Sequence, residues 1–286
     1  MSILICIFSG VFWSLFDLTR KLTLKILSPK VILILLMCTQ LFLFGIWICF
    51  YPFYIEINNY FIPGFALILI GIISAILFLK AIQTSDLSLT IPLLSFTPLF
   101  SVIFSFFFLG EKLSVYQHVA ILFIIFGAII LYSKNFKIGS ILQSISTIRR
   151  NESAKLMVIV ALSWSLTPVL DKVCLKFSSI NMHGFVQSLG MLIFLLFFSL
   201  SEIKVLEKIK KKKILIIITL SIGIIATVSQ LYAISYNYVP IMESIKRTIG
   251  LFGSLFFGFL FFKEKITRPK IGGLILLSIG MFFIFQ

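Results

Sequence analysis

Apolar residues occur along this chain in ten long blocks, and polar residues gather in the gaps between them. The blocks are Ile3–Thr19, Val31–Pro52, Gly64–Gln83, Leu89–Leu109, Val115–Ser133, Ala154–Lys172, Met182–Ser201, Ile214–Tyr236, Pro240–Phe262 and Pro269–Phe285. A helix needs about 20 apolar residues to cross a bilayer. The pattern therefore predicts an all-α integral membrane protein with ten transmembrane helices. The longest gap, 134–153, is polar and basic and ends in Arg149-Arg150. It reads as a cytoplasmic linker between two units, 1–133 and 154–286.

The two units repeat one another. Near residue 100 the chain reads SFTPLFSVIFSFFFLGEKLS, and near residue 253 it reads IKRTIGLFGSLFFGFLFFKEKIT. A shift of 153 carries Glu111-Lys112 onto Glu264-Lys265, and Thr97, Ser101 and Ser105 onto Gly250, Ser254 and Gly258. Small residues every fourth position give a helix a seam that another helix can approach closely in lipid. The same shift takes Ala120 and Gly127 onto Gly273 and Gly280, and a shift of 151 takes Trp13-Ser14 onto Trp164-Ser165. Each unit holds five spans. Five is odd, so the second unit crosses the membrane in the opposite sense, and such inverted repeats place a solute site between them near the midplane.

Composition agrees with the pattern. Hydrophobic residues make up 60% of the 286 and charged residues 12%. Soluble domains have about 45–50% and about 25%. The net charge of +15 is not a nucleic-acid footprint, because the bases sit in short loops beside apolar spans. Those loops, after spans 1, 3, 5, 7 and 9, share one face, which the positive-inside rule assigns to the cytoplasm with both termini outside. The expected location is the cytoplasmic membrane, with lipid and a small-molecule substrate as partners, as a monomer or homodimer. The first block has neither a basic stretch before it nor a small-residue cleavage site after it, and reads as a retained span. The four cysteines are dispersed, with no CxxC and no Cys/His cluster. No metal, cofactor or catalytic constellation is expected, which argues against an embedded enzyme. A purely structural subunit would not need ionisable groups deep in a span.

Ten helices in two inverted halves, a Trp-Ser in the first helix of each half, and an aromatic helix ending in Glu-Lys before a Gly-rich helix resemble the drug/metabolite transporter superfamily, in its EamA-like branch. The resemblance covers essentially the whole chain. It implies a secondary carrier or exporter of small metabolites, with a central cavity lined by helices 1, 3, 4, 6, 8 and 9.

Ionisable groups inside spans are functional candidates by default. Glu243, Lys246 and Arg247 put both cations on the face of the acid, at spacings of three and four. They suit an anionic or zwitterionic solute, with Arg247 as a forked carboxylate or phosphate clamp; the alternative is a self-neutralised cluster snorkelling to the interface. Asp17 and Asp171 are the candidates for proton coupling, and an interfacial salt bridge is the alternative for each. Trp13 and Trp164 could stack on a solute or anchor at the interface. Gln40, Gln187 and Gln230 are mid-span and face the interior, against solute or a neighbouring helix. Pro92, Pro98 and Pro168 are expected to bend helices, either as hinges for rocking or as kinks that shape the cavity. The reading is a carrier of small polar metabolites, amino-acid-like or otherwise zwitterionic or anionic, working by alternating access. The alternative is a lipid-linked sugar flippase or nucleotide-conjugate exchanger of the same superfamily.

Overall fold

A computed structural model describes residues 2–84, 91–133, 152–197, 212–263 and 266–284. They form ten α-helices: α1 (Ser2–Thr23), α2 (Pro29–Phe50), α3 (Ile57–Thr84), α4 (Thr97–Leu109), α5 (Val115–Tyr132), α6 (Glu152–Leu175), α7 (Ile180–Phe197), α8 (Lys213–Tyr236), α9 (Val239–Phe262) and α10 (Arg268–Ile284). Seven of these, α1 to α3 and α6 to α9, are long and apolar enough to cross a membrane. The chain is a multi-pass integral membrane protein. Linker residues 134–151 and the second Glu-Lys pair, Glu264-Lys265, lie outside the described residues.

Two helices begin elsewhere than the apolar pattern predicts. The fourth span is not one helix from Leu89, because Ile91–Phe96 winds as a 3-10 helix and the α-helix starts at Thr97. Pro98 has no N–H and its ring crowds the carbonyl four residues back, so it is tolerated only in a first turn. It sits there, at the head of α4 and not inside it. Pro92 lies in the 3-10 segment. The third helix starts at Ile57, before Pro63, because the Glu56 carbonyl already accepts from the backbone N–H groups of Asn59 and Tyr60.

Packing obeys the inverted repeat. Helix α1 packs on α8 and α9, and α6 packs on α3 and α4. Advancing every helix by five turns the first set into the second. Helices α2 and α7 pair with each other, as do α5 and α10. The α5–α10 contact shows why glycine is needed there. A Cβ on Gly127 would stand 2.9 Å from the Gly273 carbonyl oxygen, and one on Gly280 2.9 Å from the Ala120 oxygen. These two contacts are images of each other under the 153-residue shift. Chain reversal repeats as well: Gly110 ends α4 with φ 69° and Lys263, its equivalent, ends α9 with φ 55°.

Polar contacts tie the halves together at the end where α1 starts. Buried Glu111 accepts from Lys172 Nζ at 2.7 Å and from the Val239 backbone N–H at 2.9 Å. Lys172 also donates to the Asn237 carbonyl at 2.7 Å, and Asn237 Nδ2 donates to the Ser2 carbonyl. Beside them the α2–α3 and α6–α7 loops form an isolated antiparallel bridge, Ile55 with Ser178. Outward-facing bulk such as Phe107, Phe197 and Phe256 is exposed, as expected of surface meant for acyl chains.

Candidate functional site

A cavity of about 220 Å³ lies between the halves. Helices α1, α2, α3, α6, α7, α8 and α9 line it. Helix α4 supplies no lining residue, and α2 and α7 do, which differs from the helix set that the resemblance implies. The reason is the seam of α4: Thr97, Ser101 and Ser105 are buried in packing rather than facing open space. In the second half the equivalent of Thr97 is Gly250, which lines the cavity and has open space where a Cβ would be.

Trp13 and Trp164 both reach the cavity wall, as do Gln40, Gln187, Gln230, Asp17, Asp171, Pro168, Lys246 and Arg247. The side chain of Pro92 lies outside the described residues. Pro98 is buried at the start of α4, away from the cavity.

Helix α9 turns three charges inward. Glu243 is fully buried and pairs with Lys246 and with Arg247 Nη2, the latter at 3.1 Å. Both carboxylate oxygens are in ion-pair contact, although neither meets hydrogen-bond geometry. Lys246 and Arg247 are only 7% and 8% exposed, so neither snorkels to an interface. Lys246 also donates to Gln230 Oε1 at 2.9 Å.

Arg20 is the residue that the sequence concealed. Placed among the bases ending α1, it looks like topology. In the structure it is 5% exposed and bonded to Asp17, three residues back. Its guanidinium lies 4.2 Å from the Phe16 ring centroid, 4.5 Å from that of Phe78 and 5.6 Å from that of Trp13. Phe78 in turn lies 4.7 Å from Trp164. Lys246 sits over Trp13 at 5.6 Å and Arg247 over Trp164 at 5.3 Å. Lys246, Trp13, Arg20, Phe78, Trp164 and Arg247 thus make a belt in which cations and rings neighbour one another across both halves. Desolvated cation–ring contacts contribute about 2 kcal/mol each. The i, i+3 spacing of Asp17 and Arg20 was the signal available in the sequence.

The belt is incompletely bonded. Arg20 Nε, Arg247 Nε and Trp13 Nε1 are buried and make no hydrogen bond among the described residues. A buried donor without an acceptor costs roughly 1–3 kcal/mol. The wall carries Arg20, Lys246 and Arg247 against Asp17 and Asp171, with Glu243 behind it. The three cations are balanced by these three acids, so what such a wall offers an incoming acceptor is N–H donors.

The glutamines are partly committed. Gln40 Nε2 donates to Thr227 Oγ1 at 2.8 Å. Gln187 Nε2 donates to Tyr60 Oη at 2.9 Å and to the Gly64 carbonyl at 3.2 Å. Asp171 does not pair with the adjacent Lys172, which turns to Glu111. It pairs with His183, whose Nε2 is 3.0 Å from Asp171 Oδ1. Tyr60 and His183 carried no role in the sequence reading. The polar run Asn181, His183, Gln187 at the head of an apolar span was the hint of a polar face there.

A family model described as "EamA-like transporter family" matches residues 1–133 and again 153–286. A solved structure described as "Crystal structure of protein" has a similar fold, with a TM-score of 0.66 and 13% identity over 99% of this chain and 94% of that one. At that identity the likeness shows the fold alone. No curated protein matches the chain.

Proposed function

The chain belongs to the EamA-like transporter family, and from that premise we propose that it carries small zwitterionic or anionic solutes across the cytoplasmic membrane by alternating access. One observation carries the reading: two buried guanidiniums at the cavity wall, Arg20 and Arg247, each keep an Nε with no acceptor among the described residues. A carboxylate or similar oxyanion suits a wall with two guanidiniums, because arginine presents its N–H donors in a fork that matches a carboxylate. Asp171 lines the cavity with its Oδ2 unbonded among the described residues, and suits a cationic group on the same molecule. Trp13 and Trp164 supply flat apolar walls.

Size supports a small solute. Sites for drug-sized ligands start at about 300 Å³, and this cavity has about 220 Å³. That favours an amino-acid-like molecule over a nucleotide conjugate or a lipid-linked sugar. The inverted repeat supports alternating access, because two halves related in this way can rock against each other about a site between them.

The test is a thermal-shift screen of the purified protein against amino acids, nucleotides and organic cations. Zwitterionic or anionic compounds are expected to stabilise it. Arg247→Ala should weaken the best of them at least about tenfold, since a charge-assisted hydrogen bond contributes roughly 1.5–3 kcal/mol. An equal shift in Arg247→Ala would sink the reading of α9 as the solute site.

A further inference from the structure

The membrane-embedded acids are not equivalent. Among the described residues, Asp17 is bonded to Arg20, Glu111 to Lys172, and Glu243 to Lys246 and Arg247. Protonating any of these would strand a cation in a low-dielectric interior, where an uncompensated charge is costly. Asp171 is different: its hydrogen-bond partner is a histidine.

The hydrogen-bond inventory fixes how that histidine is protonated. The Gly64 carbonyl can only accept, so the atom of Gln187 turned toward it is the amide nitrogen, and the same nitrogen donates to Tyr60 Oη. Tyr60 has one proton, and the neighbour left to receive it is His183 Nδ1, 2.8 Å away. With Nδ1 accepting, a neutral imidazole carries its proton on Nε2, and that proton points at Asp171 Oδ1. Tyr60 and His183 are 4% and 1% exposed, so water does not readily replace a partner in this chain. A second proton on Nδ1 would leave the Tyr60 hydroxyl proton without an acceptor. A proton on Asp171 Oδ2 breaks nothing. That oxygen makes no hydrogen bond among the described residues, and Asp171 lines the cavity.

We propose that Asp171 is the proton-binding residue of this carrier, and that His183, held by Tyr60 and Gln187, positions it so that the proton is taken up on Oδ2 from the cavity. Helix α8, which packs on α6, brings Gln230 to the cavity wall, where it is bonded to Lys246. Helix α6 brings Cys174 and α3 brings Tyr60, both within electrostatic reach of Asp171. Helix α9 brings Lys246, which also feels Asp171 but is bonded to Glu243 and Gln230. The turn after α4 brings Glu111, taken by Lys172. Helix α2 meets α7 here through Phe44 against Gly184. A change of charge at Asp171 is therefore felt at the cavity wall, where Lys246 lies within its electrostatic reach. The proposal deepens the carrier reading and rests on it for its purpose, but its test needs no solute and so fails or succeeds separately.

That test is infrared difference spectroscopy of the purified full chain in detergent, titrated from alkaline to acidic buffer. A protonated-carboxyl band should appear on acidification, move when the chain is grown with carboxyl-13C aspartate, and vanish in Asp171→Asn. The chain has three aspartates, Asp17, Asp86 and Asp171. In the double variant Asp17→Asn/Asp86→Asn the band should persist, which decides the matter even where Asp171→Asn does not fold. His183→Gln should keep the band but move its midpoint, as expected for a positioning residue. A band that survives Asp171→Asn, the absence of any aspartate band, or its loss in the double variant overturns the assignment of the proton to Asp171. An unmoved midpoint in His183→Gln overturns the role of His183.

Discussion

Replacing Glu111 by alanine is expected to be among the most destabilising single changes outside the apolar core. The side chain is 5% exposed and accepts two hydrogen bonds, one from an ammonium and one from a backbone N–H in the first turn of α9. Removing a partner from a buried ion pair costs about 3–5 kcal/mol. Lys172 is 19% exposed and keeps the Asn237 carbonyl, which lowers that part to roughly 1–2 kcal/mol. Losing a carboxylate at the start of α9 adds the orphaned Val239 N–H and the lost favourable interaction with the helix dipole, together about 1–2 kcal/mol. The expected loss is about 2–4 kcal/mol. Glu111→Gln retains an acceptor but no charge and should lose about half as much. Reversible unfolding in mixed detergent micelles measures these differences, and a double-mutant cycle with Lys172→Met isolates the pair. A change in Glu111→Ala below about 0.5 kcal/mol, or a cycle without coupling, would show that the clasp does not hold the halves together.

Three further expectations complete those for Arg247 and Asp171. Gly127→Ala and Gly280→Ala each push a methyl group to 2.9 Å from a backbone oxygen of the facing helix; neither oxygen can swing aside, so each should cost about 1–3 kcal/mol in the same unfolding assay. Equal stability of both variants would contradict the close α5–α10 crossing. A cysteine at Gln143, in a background without the four native cysteines, should react with impermeant maleimide only after the cytoplasmic side is opened; labelling of intact cells would reverse the orientation argued from the basic loops.

Much of this protein was legible in one dimension. Membrane insertion depends on the apolar content of consecutive residues, so the ten blocks, the two halves and their inversion could be read along the chain. The paired glycines of α5 and α10 were visible as a repeat, because close helix approach in lipid requires small residues at fixed spacing. Helix starts were less legible where proline intervened: Pro98 heads α4 and leaves a 3-10 segment before it, while Pro63 is accommodated inside α3. The inward charges of α9 were visible as well, since spacings of three and four along one helix put them on one face.

Choice of partner was another matter. Lys172 is next to Asp171 in sequence yet bonds Glu111, 61 residues away, and Asp171 bonds His183. Arg20 follows the pattern of an interfacial base and is instead packed between rings of α1 and α3. Adjacent residues on a helix point about 100° apart, so sequence proximity does not put two side chains on one face. Which distant group each one meets is decided only when the two halves fold against each other.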